Sequence, residues 1–153
     1  MKNYGPLDDF SVIALYPDVQ VNRDNIEHYR GLAERKLLIN HCADCGNWIY
    51  PHLPICPECW SWNVKAEEVG GLGSVFMWTT LMQQRSPSVP HEPVPVAAVD
   101  FAEQKGLRYL SRIVNCAPED IYHDMPVRLT WIEIGNLEWP AFEPIPGAAG
   151  GSR

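Results

Sequence analysis

The sequence predicts a mainly β protein in three parts: an N-terminal helix, a small cysteine-pinned ribbon and a five-stranded barrel. Two Cys-x-x-Cys pairs define the ribbon, and five short runs rich in β-branched and aromatic residues define the barrel. Fourteen prolines and eleven glycines argue for a loop-rich β chain over a helical bundle. At 153 residues and 46% apolar, the chain suits one compact body or two small ones.

Residues 1–21 read as an irregular arm, broken by Gly5-Pro6 and Tyr16-Pro17. Phe10, Val12, Ile13, Leu15 and Tyr16 nevertheless give it more apolar surface than a solvated tail carries. Such an arm packs on its own domain or docks onto a partner. A helix is expected from Asn22 or Asp24, with Asp24 and Glu27 three apart as a capping-box pair. Ile26, Tyr29, Ala33 and Leu37 recur on one face of it, and such faces cover a core more often than they meet another subunit. The arm and helix together take residues 1–37.

Residues 38–69 form the ribbon. Cys42-Ala43-Asp44-Cys45 and Cys56-Pro57-Glu58-Cys59 are separated by ten residues, Gly46 to Ile55. A two-residue gap lets both thiolates of a pair converge from one tight turn, and Gly46 and Pro57 supply the turn chemistry. Two such turns face to face place four sulfurs at the corners of a tetrahedron, the arrangement that holds structural zinc. Four thiolates leave no open position for substrate, so this ion holds the fold and does no chemistry. A redox dithiol and an iron–sulfur cluster are the lesser alternatives; the first lacks its usual helix within an α/β pattern. Disulfides need an oxidising compartment, and Met1 to Phe10 has no basic segment followed by an apolar core, so a reducing cytoplasm is the default. Leu38 to His41 and Trp48 to Pro51 flank the first pair as strands, and Val64 to Val69 is expected to pair back. His28, His41, His52, His91 and His123 are surplus to a four-sulfur site and read as surface or packing residues. His52 is the one that would substitute as a ligand.

Gly70-Gly71-Leu72-Gly73 marks a junction, and residues 70–144 carry the barrel. Ser74 to Met82 is a strand apolar on both faces, followed by a polar, proline-rich loop from Gln83 to Pro93. Val94 to Phe101, Leu107 to Val114, Val127 to Ile134 and a short Leu137 to Phe142 complete the set, with a helical turn at Pro118 to Ile121. Five strands with a helical turn between the third and fourth is the layout of an OB-fold. Strands apolar on both faces fit a small barrel with something packed on its outside; an open sandwich has the same strand count. Residues 145–153 form a Gly/Ala/Ser tail.

The formal charge is −7, with 12 Lys plus Arg and no basic run, which argues against nucleic acid. No run of about 18 apolar residues exists, so no membrane span is expected. Catalytic constellations are also missing from the pattern. Cys116 lies between Asn115 and Ala117, which offer no base, and reads as packing; Glu119 and Asp120 read as caps.

The order of these parts resembles the acyl-CoA-associated zinc-ribbon/OB-fold family, long catalogued as a domain of unknown function. The matching stretches are Leu37 to Gly46, Cys56-Pro57-Glu58-Cys59, Gly71 to Phe76 with Trp78-Thr79, Pro95 to Asp100, Cys116 to Ile121 and Pro140 to Pro144. The resemblance covers roughly residues 22 to 144 and implies a rubredoxin-like ribbon, with Cys42, Cys45, Cys56 and Cys59 on one structural zinc. It also implies an accessory subunit without catalytic residues of its own. Members pair with thiolase-superfamily proteins: thiolases of aromatic degradation such as benzoylsuccinyl-CoA cleavage, retro-aldolases of steroid side-chain breakdown, and archaeal acetoacetyl-CoA synthesis. There they help shape the acyl-CoA channel, and a two-plus-two heterotetramer is expected. In this chain Ile26, Tyr29, Ala33, Trp60 and Trp62 are candidate partner-facing residues. The two tryptophans equally suit the junction between ribbon and barrel. Arg108 and Arg112 alternate onto one barrel face, as ligand-binding candidates or as solvated strand arginines. The other class of function is a single-strand nucleic-acid binder, with Phe76, Trp78 and Tyr109 as stacking platforms. Against it, Phe76 and Trp78 are expected on one strand face, where burial explains them equally well.

Overall fold

The computed structural model describes residues 7–83 and 92–147. Two compact units partition the chain: Met1–Gly70 with Glu133–Trp139, and Gly71–Ile132 with Pro140–Arg153. Gly5-Pro6, the middle of the expected polar loop with His91, and residues 148–153 lie outside the described residues.

The arm is not irregular. Helix α1 spans Asp9–Leu15, and the Asp8 carboxylate accepts from the Ser11 N–H at 2.8 Å as its N-cap. Its β-branched Val12 and Ile13 weaken the local signal, and burial supplies the rest: Val12 and Tyr16 are buried. The Tyr16 ring packs on Tyr29 and Trp139 at centroid distances of 5.1 and 5.6 Å. Arg30 ties the arm down, its guanidinium donating to the Leu7 carbonyl and to Asp9 at 2.6 Å.

Helix α2 spans Ile26–Ala33, starting later than the capping-box pair suggests. Asp24 does not cap it. The Asn22 side chain accepts from the Asp24 and Asn25 N–H groups, while the Asn25 side chain accepts from the Asn22 N–H at 2.7 Å. Two asparagines thereby close a local turn that competes with a helical first turn. The buried face is His28, Gly31 and Leu32, one position round from the expected stripe; Ile26, Tyr29 and Ala33 are half-buried, and Leu37 is buried beyond the helix end.

The ribbon sheet centres on β1 (Leu38–Cys42), flanked antiparallel by β2 (Trp48–Ile49) and β3 (Val64–Glu68). Asn40 faces Ile49 on one side and Ala66 on the other.

Strands β4 (Leu72–Gln83), β5 (Glu92–Phe101), β6 (Arg108–Ile113), β7 (Pro126–Ile134) and β8 (Leu137–Pro144), most of them in the second unit, close a barrel in the order β4-β5-β6-β8-β7. The fifth strand is longer than expected, and it pairs parallel to β6 through Arg112 and Ile113. A 3-10 turn at Pro118–Asp120 separates the third and fourth barrel strands, as the OB layout requires. Val75, Ala97, Val99, Ile113, Val127 and Phe142 fill the interior.

One expectation fails inside β4. Register against β5 slips between Val75 and Met77, leaving Phe76 as the extra residue of a β-bulge. The bulge flips the alternation: Trp78 pairs with the buried Ala97, whereas Phe76 carries the Arg108 guanidinium 3.5 Å above its ring. Phe76 and Trp78 therefore occupy opposite faces.

Gly71 has φ +77, the left-handed region that favours glycine. At Gly73 a Cβ would sit 2.5 Å from the Asp100 carbonyl oxygen, where backbone cannot yield. Gly73→Ala is expected to cost about 1–3 kcal/mol, read as a lower urea midpoint at unchanged slope. An unchanged midpoint would contradict this close packing of β4 on β5.

Candidate functional site

The two cysteine knuckles are near copies of each other. In the first, the Gly46 N–H donates to the Cys42 carbonyl at 2.8 Å and the Cys42 N–H to Asn47 at 2.9 Å. In the second, the Trp60 N–H donates to Cys56 and the Cys56 N–H to Ser61, both at 2.9 Å. Asp44 links them, accepting from the Asn63 side-chain amide at 2.8 Å and from the Ser61 hydroxyl. These donors, the Ser61 hydroxyl first, hold its carboxyl below the usual carboxylate range.

All four sulfurs lie within 4.8 Å of one another. Cys42 Sγ stands 3.6 Å from Cys59 Sγ, and Cys45 Sγ 3.5 Å from Cys56 Sγ. A tetrahedron with bonds of about 2.3 Å has sulfurs roughly 3.8 Å apart, so the set fits zinc. Its acid–base chemistry calls for a cation. Burial pushes the Cys56 thiol up, but the Cys59 and Glu58 N–H groups outweigh it and bring the pKa down to about 7. For Cys45, the Asn47 N–H lowers the pKa, but the neighbouring Cys59 side chain and burial prevail and push it up to about 12. Crowded thiols cannot all ionise alone; a central divalent ion stabilises all four thiolates.

His52 is not among the sulfurs. Its Nδ1–H donates to Asn40 Oδ1 at 3.2 Å, because the Asn40 amide nitrogen is committed to the Leu53 and Asp24 carbonyls at 3.0 and 3.3 Å. His52 Nε2 is buried with no hydrogen-bond partner among the described residues. The ring lies 4.8 Å from that of His28, whose Nδ1–H donates to the Leu38 carbonyl at 2.8 Å. Nothing local in the sequence signals this pair, since the fold brings together residues from α2 and the ribbon loop. Burial lowers both imidazole pKa values, His52 to about 4.

Trp60 and Trp62 are 73% and 70% exposed. Trp60 has φ +60, in the position that Gly46 fills in the twin knuckle with φ +76. A bulky residue there is strained by roughly 1 kcal/mol. That glycine in the twin is a further signal by which the sequence marks Trp60. Trp62 walls an open groove of about 510 Å³ with Arg23, Asp24, Glu27, Leu38 and Lys65 among its lining.

On the barrel, Arg108 and Arg112 do share a face. Arg108 is held by Asp100 at 2.7 Å and lies on Phe76; Arg112 is half-buried and has no ion-pair partner among the described residues. Tyr109 is buried. Cys116 is half-buried, and burial, followed by the nearby Asp120 and Glu119 carboxylates, pushes its thiol up.

A four-sulfur ribbon on one unit and a closed five-stranded barrel on the other define a zinc-ribbon/OB-fold protein. Residues 30–64 match the model of the ChsH2 rubredoxin-like zinc ribbon domain, and residues 66–131 that of the ChsH2 C-terminal OB-fold domain. The chain belongs to the DUF35 family: it is 31% identical over 120 residues to a DUF35 domain-containing scaffold protein of Pyrococcus furiosus, covering 78% of this chain and 84% of that one. It is also 34% identical over 132 residues to a probable enoyl-CoA hydratase alpha subunit of Thermomonospora curvata, with 86% of this chain matched to only 40% of that protein. Among solved structures, the Ltp2-ChsH2(DUF35) aldolase matches with TM-score 0.72 and 33% identity, covering 82% of this chain and 98% of that chain. No described helix is long and apolar enough to cross a membrane.

Proposed function

We propose that this chain is a cytoplasmic, non-catalytic subunit of a thiolase-superfamily acyl-CoA enzyme, a thiolase or retro-aldolase in aromatic or steroid breakdown. Its zinc ribbon presents a rigid docking surface, and its barrel helps shape the acyl-CoA site in a two-plus-two assembly. Trp60 carries the reading. An indole held in a left-handed conformation, largely in solvent, does nothing for the ribbon that glycine would not do better, so its use lies outside the chain. Trp62 extends that surface, and Ile26, Tyr29 and Ala33 on α2 are its remaining candidates. The relatives' names, a scaffold protein and subunits of CoA enzymes, support the same class. Of the two arginines, Arg112 is the one available to a ligand or partner group. Single-strand nucleic-acid binding is the weaker reading, because Phe76 is covered by Arg108, Trp78 is on the other face and Tyr109 is buried.

The test is co-expression of the zinc-loaded full chain with a thiolase-superfamily subunit from its own organism. Co-elution at two-plus-two mass with altered turnover is expected. Trp60→Gly should hold stability or raise it by up to about 1 kcal/mol while weakening the complex about tenfold. Absence of a complex together with unchanged turnover would reject the proposal.

A further inference from the structure

The ribbon sheet ends in an open edge. In the order β2-β1-β3, strand β3 is paired on one side alone among the described residues. Hydrogen-bonded pairs in an antiparallel ladder recur at every second residue. The Ala43 N–H donates to the Asn63 carbonyl at 2.9 Å and the Val69 N–H to the Leu37 carbonyl at 3.1 Å, which sets the phase. Lys65 and Glu67 therefore turn their backbone groups toward β1, and Val64, Ala66 and Glu68 turn theirs outward. No backbone partner among the described residues meets those three. Natural edges are blunted by proline, bulges or a bare charge. β3 has no proline and its register against β1 runs unbroken, which leaves the Lys65 charge as its one safeguard. Lys65 is exposed, with no ion-pair partner among the described residues.

We propose that this edge pairs antiparallel with the same edge of a second copy of this chain, about a two-fold axis at Ala66, joining two ribbons into one continuous sheet. Charge chooses both the occupant and the register. Centred on Ala66, the ladder sets Ala66 against Ala66, Val64 against Glu68 and Lys65 against Glu67, so that all five residues of each strand pair. Directly opposite side chains lie on the same face, and opposite charges there stabilise a sheet. A shift that centres the axis on Lys65 or on Glu67 opposes two lysines or two glutamates and is disfavoured. The strand thus supplies, at the required spacing, the carboxylate that answers its own edge lysine. Glu67 already accepts from the His41 ring at 3.1 Å, and its side chain is still 47% exposed. A five-residue ladder is a small interface, so the dimer is a weak one that forms with rising concentration. This contact needs no other protein and stands or falls independently of the subunit reading above.

Sedimentation of the full, zinc-loaded chain alone, up to about 1 mM, measures the pairing. Physiological salt screens the −7 formal charge of each copy. A monomer–dimer equilibrium is expected. Lys65→Glu and Glu67→Lys each turn both cross-strand pairs into like-charge pairs, and each should weaken dimerisation at least about tenfold. An equimolar mixture of these two variants restores opposite charges at both pairs and should recover dimers, now mixed. Damage to the fold by either substitution would not be rescued in this way. Ala66→Pro removes an outward N–H that β1 does not use, so zinc content and amide exchange across β1 should match the parent while dimers are lost. A parent that stays monomeric over this range overturns the proposal. So do dimers that survive the single reversals or Ala66→Pro, and a mixture of the two reversals that stays monomeric.

Discussion

Cys56→Ser is expected to release zinc and unfold the ribbon of the first unit, the largest effect of any single substitution in this chain. Cys56 and Cys42 are fully buried, and with Ile49 they form the ribbon's own small apolar cluster. So few residues cannot repay the entropy of ordering the knuckles. Metal ligation worth about 10 kcal/mol or more supplies the difference. Loss of one thiolate removes a bond and leaves the Cys45 partner sulfur facing an alcohol. The expected signs are zinc below stoichiometry and fast amide exchange across Leu38–Cys42. Chelation of the parent should reproduce both. Cys116→Ser, outside the four-sulfur set, should change neither. Full zinc content in Cys56→Ser with unaltered exchange would refute a tetrathiolate site.

Acidification is expected to destabilise the first unit through His28 and His52. Both imidazoles are lowered from the ordinary value near 6.5, chiefly by burial, with the two rings repelling each other's charge. The folded state therefore keeps them neutral where the unfolded chain binds protons. Their contribution is intact above about pH 6.5 and is lost progressively as pH falls toward 4, where His52 protonates even in the fold. A shift of that size corresponds to roughly 3 kcal/mol, and partial solvent access at His52 trims it to about 2, with His28 acting in the same direction. Ring neighbours Tyr29 and Tyr50 offer no negative charge to offset it. Urea unfolding of the zinc-saturated protein between pH 7 and 5.5 measures the slope. His52→Gln, which keeps a hydrogen-bonding group beside Asn40, should flatten it. Parallel slopes for parent and variant, with zinc content monitored, would remove His52 from the account.

The zinc ligands were legible because a Cys-x-x-Cys turn is a local object, complete within a few residues. The barrel strands were legible because runs of β-branched and aromatic residues and the glycine-rich junction are local too. What escaped depends on distance. Helix α1 is too short to declare itself and exists through Val12 and Tyr16 packing against Tyr29 and Trp139. The bulge at Phe76 has no glycine to announce it, so the strand's faces after it were assigned the wrong way round. Asn22 and Asn25 form a turn that the Asp24–Glu27 spacing obscures. His28 and His52 become a pair only once α2 lies against the ribbon.

During synthesis all four sulfurs leave the ribosome before the first barrel strand is finished, so the nascent chain can capture its metal early. Neither body is complete at that stage, because Trp139 belongs with the first and Phe142, a few residues on, fills the interior of the second. One late stretch thus supplies a residue to each body separately. Premature termination before it is expected to leave a metallated but open polypeptide, marked for proteolysis.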